Sequence, residues 1–335
     1  MSKTIIIAEA GVNHNGDIEI AKRLIDAAEQ AGADYIKFQT FVSEDCIAIH
    51  AVKADYQIKN TGVESESQLE MVKKLELNES DHDILTNYCK NKQVKFLSTA
   101  FDFSSIKLLN KYNLDFFKVA SSELTNLPFL RNVADLQIPI IISTGMANMQ
   151  EVKDSLDVFY KKGIKKENIT VLHCNTEYPT PMGDVNLNAM LTLKNELGVK
   201  IGYSDHSLGI EVPIAAVALG AQIIEKHFTL DNNMIGPDHR ASLEPDQLTA
   251  MVSAIRNIEI ALGSGIKEPT PSEMLNIPVM RKSIVAKTEI KKGEIFNEDN
   301  LCVKRPGVGI NSMKWDEIIG LPANFDFQPD ELIKL

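Results

Sequence analysis

Between Thr4 and Leu262, short apolar runs alternate with longer amphipathic or alanine-rich segments. The apolar runs predict eight strands: Thr4–Ala8, Tyr35–Phe38, Val94–Leu97, Phe116–Val119, Ile140–Ile142, Thr170–Leu172, Lys200–Tyr203 and Gln222–Ile224. The other segments predict helices: Ile18–Ala31, His82–Lys92, Ser104–Lys111, Met149–Lys161, Leu187–Leu197, Val212–Leu219 and Gln247–Leu262. Strict alternation implies a parallel sheet, and eight units within roughly 250 residues match a closed (β/α)₈, or TIM, barrel.

An open, doubly wound sheet is the structural alternative, because it is also built from alternating strands and helices. Dinucleotide-binding sheets of that kind carry a GxGxxG motif after the first strand. The loop at Gly11–Gly16 reads GVNHNG and lacks that motif. The pattern therefore favours the barrel.

The alternation stops after Leu262, where a stretch rich in glycine, proline and serine is typical of a linker. Beyond it, Ser283–Ala286, a turn at Lys291–Glu294 and Leu301–Gly309 are too short for another series of strand and helix. We predict a barrel domain over residues 1–264, a linker over 265–282 and a small β-type domain over 283–335. About fifty residues form a marginal core, so we expect that domain to pack against a barrel.

The composition is that of a globular protein, with 44% hydrophobic and 24% charged residues and a net charge of -11. Such an acidic chain is a poor partner for nucleic acid. If it handled an anionic substrate, it would need a few lysines or arginines concentrated in a cleft.

The four cysteines, Cys46, Cys89, Cys174 and Cys302, form no CxxC pair, which favours free thiols in a reducing compartment. The apolar run before Glu9 is too short for a secretory signal, and no apolar stretch reaches membrane length. We therefore expect a cytoplasmic protein without membrane partners.

Polar residues follow all eight predicted strands, and in barrel enzymes the reacting groups lie at these carboxyl ends. They are Glu9; Lys37 and Gln39; Ser98 and Thr99; Lys118, Ser121 and Glu123; Ser143; His173 and Asn175; Ser204, Asp205 and His206; Glu225 and His227. The two lysines, with Thr99, Ser121, Ser143, Asn175 and Ser204, would form an anion-binding site for a phosphate and a carboxylate.

Simpler roles exist for some of these groups. Serine or threonine at a strand end often only caps the next helix. A lysine behind a buried strand has no easy path to solvent, so Lys37 and Lys118 require an anionic partner or ligand. Either lysine could instead form a Schiff base, as in barrel aldolases.

Two histidines, His206 and His227, end neighbouring predicted strands. A lone histidine beside an apolar run is usually a core residue, but two on adjacent strand ends can share a cation. Asp205 and Glu225 could orient the imidazoles. Two protein ligands with open positions suit labile Mn²⁺ or Mg²⁺ better than structural zinc. His14, His173 and His239 are further candidates, whereas His50 and His82 are expected at the surface.

Several segments together resemble the sialic acid (nonulosonic acid) synthases, over essentially the whole chain. They are Ala8–Gly16, Ile36–Thr40, Ile142–Met146, His173–Pro181, Ser204–His206, Glu225–Thr229 and Gly236–His239. The tail, with Ile290–Glu294 and Lys304–Gly307, is similar to that family's antifreeze-like (SAF) domain.

The resemblance implies a metal-dependent transferase that condenses phosphoenolpyruvate with an N-acylated mannosamine-type sugar and releases phosphate. It implies that His206 and His227 hold the divalent metal, Mn²⁺ by preference with Mg²⁺ or Co²⁺ as alternatives. Glu9 is the implied general acid/base, catalytic together with His206. The phosphoenolpyruvate-binding residues would be Lys37, Thr99, Lys118, Ser121, Ser143, Asn175 and Ser204. The sugar-binding residues would be Gln39, Tyr56, Glu123, Tyr178, Asp238 and Arg305.

The resemblance also implies a homodimer in which the C-terminal domains are exchanged, so that each caps the partner's active site. Arg305 would then reach the sugar's N-acyl group in the other subunit. From the residues alone, Arg305 could equally be a solvated charge on a loop.

The identity of the sugar depends on weaker similarities. Lys53–Gly62, with Glu70–Met71 and Lys73–Glu76 beyond it, is similar to the N-acetylneuraminate synthases of one bacterial subgroup, so we predict N-acetylmannosamine as the substrate. The form of Ala8–Gly16 also resembles N,N'-diacetyllegionaminate synthases, and 2,4-diacetamido-2,4,6-trideoxymannose is the alternative substrate. Alternatives of other classes are a Schiff-base aldolase and a carbohydrate-binding protein without catalysis.

Overall fold

The computed structural model describes residues 3–335. Within them, eight parallel strands close into a barrel in chain order. The strands are β1 (Ile5–Gly11), β2 (Tyr35–Thr40), β3 (Lys95–Ala100), β4 (Phe117–Val119), β5 (Ile140–Ser143), β6 (Ile169–His173), β7 (Lys200–Asp205) and β8 (Ile223–His227). The predicted (β/α)₈ barrel is confirmed, although most strands extend further at their carboxyl ends than the apolar runs indicated.

Eleven helices accompany these strands in the described part of the barrel. They are α1 (Ile18–Gln30), α2 (Ser43–Cys46), α3 (Asp55–Thr61), α4 (Gln68–Lys73), α5 (Glu79–Lys90), α6 (Phe103–Leu109), α7 (Leu127–Asp135), α8 (Met149–Lys161), α9 (Leu187–Leu197), α10 (Glu211–Ala218) and α11 (Pro245–Ala261). None of the helices in residues 3–335 is long and apolar enough to cross a bilayer.

The helix α1 shows how local sequence forms the outer layer. The Asp17 side chain caps it by accepting a hydrogen bond from the Glu19 amide at 2.7 Å. Its buried residues, Ala21, Leu24, Ile25 and Ala28, recur at helical spacing and form one apolar face. That face belongs to the same core cluster as Ile6 and Ala8 of β1.

The other face of each strand points into the barrel, because side chains alternate along a strand. On β1 this inner face carries Ile7 and then Glu9, and on β8 it carries Ile223, then Glu225 and His227. Ile7 and Ile223 belong to the apolar cluster that fills the barrel, with Tyr35, Leu97, Phe116, Ile141 and Leu172. The interior is therefore apolar at its base and polar at the carboxyl ends of the strands.

A long connection, residues 41–78, lies between β2 and α5 and contains the short helices α2, α3 and α4. The Lys53 side chain is 1% exposed and pairs with Glu66 at 3.2 Å. Glu66 also pairs with Lys74 at 2.6 Å. The Asn60 amide donates to the Pro237 carbonyl at 2.6 Å, which ties the connection to the loop after β8.

The chain divides into two compact units, and the second covers Ser264–Leu335. It contains α12 (Pro271–Met274), α13 (Ile277–Met280), β9 (Ser283–Ala286), β10 (Leu301–Lys304) and α14 (Trp315–Ile318). β9 and β10 pair in antiparallel fashion. The unit has its own core, which includes Ile284, Ile290, Phe296 and Phe327. The predicted small β-type domain is confirmed.

Candidate active site

A cavity of about 460 Å³ opens at the carboxyl ends of the barrel strands. Of the residues predicted for catalysis and for phosphoenolpyruvate, sugar or metal binding, all but two line it: Glu9, Lys37, Gln39, Tyr56, Thr99, Lys118, Ser121, Glu123, Ser143, Tyr178, Ser204, His206, His227 and Asp238. A volume of this size is ordinary for a site that takes small molecules.

The floor of the cavity holds two lysines and two carboxylates. Lys37 Nζ lies 2.8 Å from Glu9 Oε2 and 3.7 Å from Glu225 Oε2. Lys118 Nζ lies 3.6 Å from the other oxygen of Glu225. Each of these four side chains is at most 5% exposed. Glu225 therefore partners both lysines, as a buried positive group requires.

Hydroxyl groups surround this charged cluster. Lys37 Nζ donates to Thr99 Oγ1 at 2.9 Å, and Lys118 Nζ donates to Ser143 Oγ at 2.7 Å. Ser204 donates to Glu225 Oε1 at 2.9 Å. These contacts leave ammonium and hydroxyl groups together, the donor set that suits an anionic ligand.

Ser121 lies at the edge of this set, in the turn after β4. Its Oγ accepts a hydrogen bond from the Gly145 amide at 3.0 Å and lies 3.2 Å from Cys174 Sγ. A β-carbon at Gly145 would lie only 2.9 Å from that Ser121 oxygen, so glycine is needed where the two loops meet.

The two carboxylates of the floor differ in acidity. Burial raises the pKa of Glu9 to about 7, an effect larger than the attraction of Lys37. Burial would also raise the pKa of Glu225, but Lys118 and Lys37 lower it to about 2. Near neutral pH, Glu225 is thus ionised while Glu9 exchanges its proton, which is the property of a general acid/base.

The side chains of His206 and His227 meet at the rim of this floor, with ring centroids 5.3 Å apart. His206 Nδ1 hydrogen bonds with the Asn175 carbonyl oxygen, and its Nε2 lies 3.2 Å from the Tyr178 hydroxyl. His227 Nδ1 is buried and has no hydrogen-bond partner among residues 3–335.

This pair of imidazoles fits a metal-binding role. Burial lowers the pKa of His206 to about 4 and that of His227 well below its ordinary value, so both rings are neutral near pH 7. The neutral imidazole is the form that binds metals. In the described part of the chain, no group of three or more His, Cys, Asp or Glu side chains could hold an ion. Water or substrate would have to complete the coordination.

Asp205 does not orient His206 as the sequence suggested. Its carboxylate pairs with Lys226 Nζ at 2.6 Å, and both side chains are fully buried. It also accepts hydrogen bonds from the Ser207 amide at 3.0 Å and the Ser207 hydroxyl at 2.7 Å. Glu225 likewise contacts lysines and Ser204. The group that orients His206 is a backbone carbonyl.

Aromatic rings form the side of the cavity next to the histidines. Tyr178 stacks on His206 at a centroid distance of 4.1 Å, and Tyr56 stacks on Tyr178 at 5.2 Å. Burial raises the pKa of Asp238 to about 6, and its Oδ2 lies 4.0 Å from His227 Nδ1. Stacked rings beside a buried carboxyl group suit a sugar, which presents both apolar and hydroxyl faces.

Gln39 and Glu123 complete the predicted sugar-binding residues of the barrel. Gln39 Nε2 donates to Glu9 Oε1 at 3.4 Å, so it contacts the predicted acid/base directly. The Glu123 carboxylate accepts hydrogen bonds from the side-chain amide of Asn126 at 2.7 Å and from the Ser122 hydroxyl at 3.1 Å. Both side chains border the cavity.

Two predicted residues lie elsewhere. The Asn175 side chain is outside the cavity lining, because its Oδ1 accepts from the Glu177 amide at 2.7 Å within its own loop. Arg305 belongs to the second unit, is exposed, and donates to the Met280 carbonyl at 3.1 Å. Its reach to a partner's sugar and the exchanged-domain homodimer stay predictions.

The sequence analysis assigned Glu225 to orienting an imidazole and did not predict its place in the floor beside both lysines. The alternation of side chains along β8 could have identified it, since Glu225 shares the inner face with His227. The surface assignment of His82 was wrong. His82 is fully buried and lies 2.7 Å from Thr40 Oγ1, because α5 packs it toward β2.

Residues 24–267 match the sequence model of the NeuB family, and residues 281–335 match that of the SAF domain. The chain belongs to the NeuB family. The resemblance inferred from the motifs is confirmed, and so is the antifreeze-like nature of the tail.

Individual NeuB-family relatives are similar over most of their length. The N,N'-diacetyllegionaminic acid synthase of Campylobacter jejuni is 53% identical over 334 residues, covering 100% of both chains. The N,N'-diacetyllegionaminic acid synthase of Legionella pneumophila is 44% identical over 94% of this chain and 89% of that protein. A crystal structure of N-acetylneuraminic acid synthetase from Leptospira borgpetersenii, in complex with citrate, matches with TM-score 0.73 and 36% identity over 82% of this chain and 90% of that chain.

Proposed function

We propose that this NeuB-family chain is an N,N'-diacetyllegionaminate synthase, which condenses phosphoenolpyruvate with 2,4-diacetamido-2,4,6-trideoxymannose and water. The identity of 53% to the C. jejuni N,N'-diacetyllegionaminic acid synthase over the whole chain carries this proposal. The N-acetylneuraminic acid synthetase structure is only 36% identical. The comparisons thus favour the alternative sugar over N-acetylmannosamine, the sugar expected first from the sequence.

The charged floor is the proposed site for phosphoenolpyruvate. Lys37 and Lys118 supply positive charge, and Thr99, Ser143 and Ser204 supply hydrogen bonds to phosphate and carboxylate oxygens. Burial makes these interactions stronger than they would be in water. Glu225 and Glu9 raise the pKa of Lys37 despite its burial, which makes it an unsuitable Schiff-base nucleophile. Burial lowers the pKa of Lys118, so the Schiff-base alternative is confined to that lysine.

Glu9 is the proposed proton carrier. Carbon three of phosphoenolpyruvate attacks the sugar aldehyde, which leaves an electron-poor carbon two that water attacks. The Glu9 carboxylate accepts a proton of that water and returns it to the alkoxide formed from the aldehyde oxygen. The bond from carbon two to the phosphate oxygen then breaks, and the hydroxyl on carbon two becomes the ketone as its proton leaves with the phosphate. The pKa of Glu9, raised by burial to about 7, lets it accept and return a proton near neutral pH.

His206 and His227 are the proposed ligands of a divalent metal. When bound, such an ion would act as a Lewis acid toward the sugar aldehyde. The Asn175 carbonyl fixes the plane of the His206 ring, and Tyr178 stacks on that ring. These contacts hold the imidazole in place before any ligand arrives.

The proposed substrate can be tested by assaying the purified protein with phosphoenolpyruvate and each sugar. We expect phosphate release with the diacetamido sugar at a kcat/KM about tenfold or more above that with N-acetylmannosamine, because the sugars differ at carbons four and six and a single mismatched group alone costs about that factor. Mass spectrometry of the nine-carbon product identifies the condensation. A preference for N-acetylmannosamine would replace this proposal with N-acetylneuraminate synthase, and turnover of neither sugar would reject both substrates.

The metal ligands can be tested without an activity assay. We expect His206→Ala and His227→Ala each to lower Mn²⁺ bound per protein at least tenfold, because a site with two protein ligands loses half of them. His50→Ala, at an exposed histidine, should keep the wild-type Mn²⁺ content. Elemental analysis after dialysis measures the content. Unchanged Mn²⁺ in both cavity variants would refute the assignment.

A further inference from the structure

The cavity has an apolar wall that the proposed chemistry does not use. It consists of Val12, Phe41, Met71, Val72, Leu75 and Phe101, all of which line the cavity. Val12, Phe41 and Leu75 form one buried cluster against which Val72 and Phe101 pack. An apolar surface this close to a charged floor is suited to an apolar part of the ligand.

The wall lies on one side of the barrel. Val12 follows β1, Phe41 follows β2 and Phe101 follows β3, and these three strands are neighbours in the sheet. His206 follows β7 and His227 ends β8. The strand β8 pairs with the edge of β1 that faces away from β2, so the histidines lie next to the wall around the barrel. A sugar with its aldehyde at the histidines can therefore direct its far end toward the wall.

The helix α4 and the turn that follows it contribute another part of the wall. Gln68, Met71 and Val72 lie three and four positions apart on α4, which places them on one helical face, and Leu75 lies in the turn that follows the helix. All four line the cavity. This face and the turn after it thus present one amide beside three apolar side chains.

We infer that the apolar wall and Gln68 select the far end of the sugar: the wall takes a methyl group at carbon six, and the Gln68 amide takes an acylamido group at carbon four. The inference rests on the proposed function and names the residues that choose its substrate. A hydroxyl group at carbon six would be buried against the wall without a hydrogen-bond partner, whereas a methyl group gains from burial. Gln57, another amide that lines the cavity, already accepts a hydrogen bond from the Ala54 backbone N–H through its Oε1 at 2.9 Å.

Assays with three sugars distinguish a failure of the proposed role of the wall from a failure of the proposed function. The sugars are N-acetylmannosamine, its 6-deoxy analogue and the diacetamido sugar. We expect wild-type kcat/KM to be about tenfold to a hundredfold higher for the 6-deoxy analogue than for N-acetylmannosamine, the usual range for one group in an apolar site. Val72→Thr adds a hydroxyl without changing size and should reduce this ratio at least threefold. Val63→Thr, at an exposed position of the same connection that does not line the cavity, should leave it unchanged.

Gln68→Leu tests the amide. It should lower kcat/KM for the diacetamido sugar by about tenfold, the worth of one hydrogen bond, and should leave that for the 6-deoxy analogue within a factor of about two. Gln93→Leu, on the exposed surface, is its control.

A wild-type preference for N-acetylmannosamine over its 6-deoxy analogue, or ratios untouched by Val72→Thr and Gln68→Leu, would overturn the inference. Turnover of the 6-deoxy analogue without the diacetamido sugar would instead reject the proposed function and leave the methyl-binding wall standing.

Discussion

Replacing Glu9 with glutamine is expected to lower kcat by a factor of about 10² to 10⁴, the usual contribution of a positioned acid/base. Glutamine keeps the size of the side chain and its contact with Gln39, but it cannot accept the proton of the attacking water. The affinity for phosphoenolpyruvate should change little, because the lysines and hydroxyl groups that hold it remain. Steady-state kinetics combined with calorimetric titration of phosphoenolpyruvate separates the two effects.

The same variant should change the pH profile. Since burial raises the pKa of Glu9 to about 7, the carboxyl group is protonated below that pH and cannot act as a base. Wild-type kcat/KM should therefore rise as pH increases through about 7, and Glu9→Gln should lack this rise. Glu123→Gln, another carboxylate of the cavity, should retain it. Loss of less than tenfold in kcat, or a persistent rise in Glu9→Gln, would contradict the role.

Removing the buried carboxylate of Asp205 should destabilise the barrel by about 3–5 kcal/mol, the range for breaking a buried ion pair. The variant Asp205→Ala leaves the Lys226 ammonium fully buried without its partner at 2.6 Å, and it also removes two hydrogen bonds to Ser207. The free energy of unfolding can be measured by urea titration followed by far-UV circular dichroism. Fluorescence of Trp315, the single tryptophan, reports the second unit separately.

Two controls give this measurement its meaning. Glu196→Ala breaks the Lys153–Glu196 pair, whose side chains are 43% and 45% exposed, and should cost less than about 1 kcal/mol. The double variant Asp205→Leu/Lys226→Met removes both charges and should recover most of the lost stability. A loss for Asp205→Ala as small as for Glu196→Ala would show that the buried pair contributes little.

Much of the barrel could be predicted because its strands and helices bury regular apolar faces. The strand ends were predicted too short, since polar residues such as Glu9 and Asp205 lie inside strands that continue beyond the apolar run. The helix α7 was missed because Pro128 occupies its first turn and resembles a helix breaker in sequence. The helices of the connection over residues 41–78 were missed too. They are short, and long-range contacts such as the Asn60–Pro237 hydrogen bond, which a sequence does not reveal, help to hold that segment.

The candidate site could also be predicted only in part. Strand order brought Glu9, Lys37, Lys118 and the histidines to one end of the barrel, as their positions in the sequence indicated. The partners of each charge depend on register between strands. The pairings of Glu225 with both lysines and of Asp205 with Lys226 therefore appeared only in the structure. The apolar wall was equally hidden, because its members come from four separate segments.

The long connection over residues 41–78 has a consequence for how such proteins diversify. The groups proposed to handle phosphoenolpyruvate lie on the strands and the turns that follow them. In contrast, Tyr56, Gln68, Met71 and Val72 belong to this one continuous connection. A single recombination event across that connection could change the part of the site proposed to select the far end of the sugar and leave the catalytic groups intact. Evolution could then change the sugar substrate by exchanging one segment among barrels that share the same reaction.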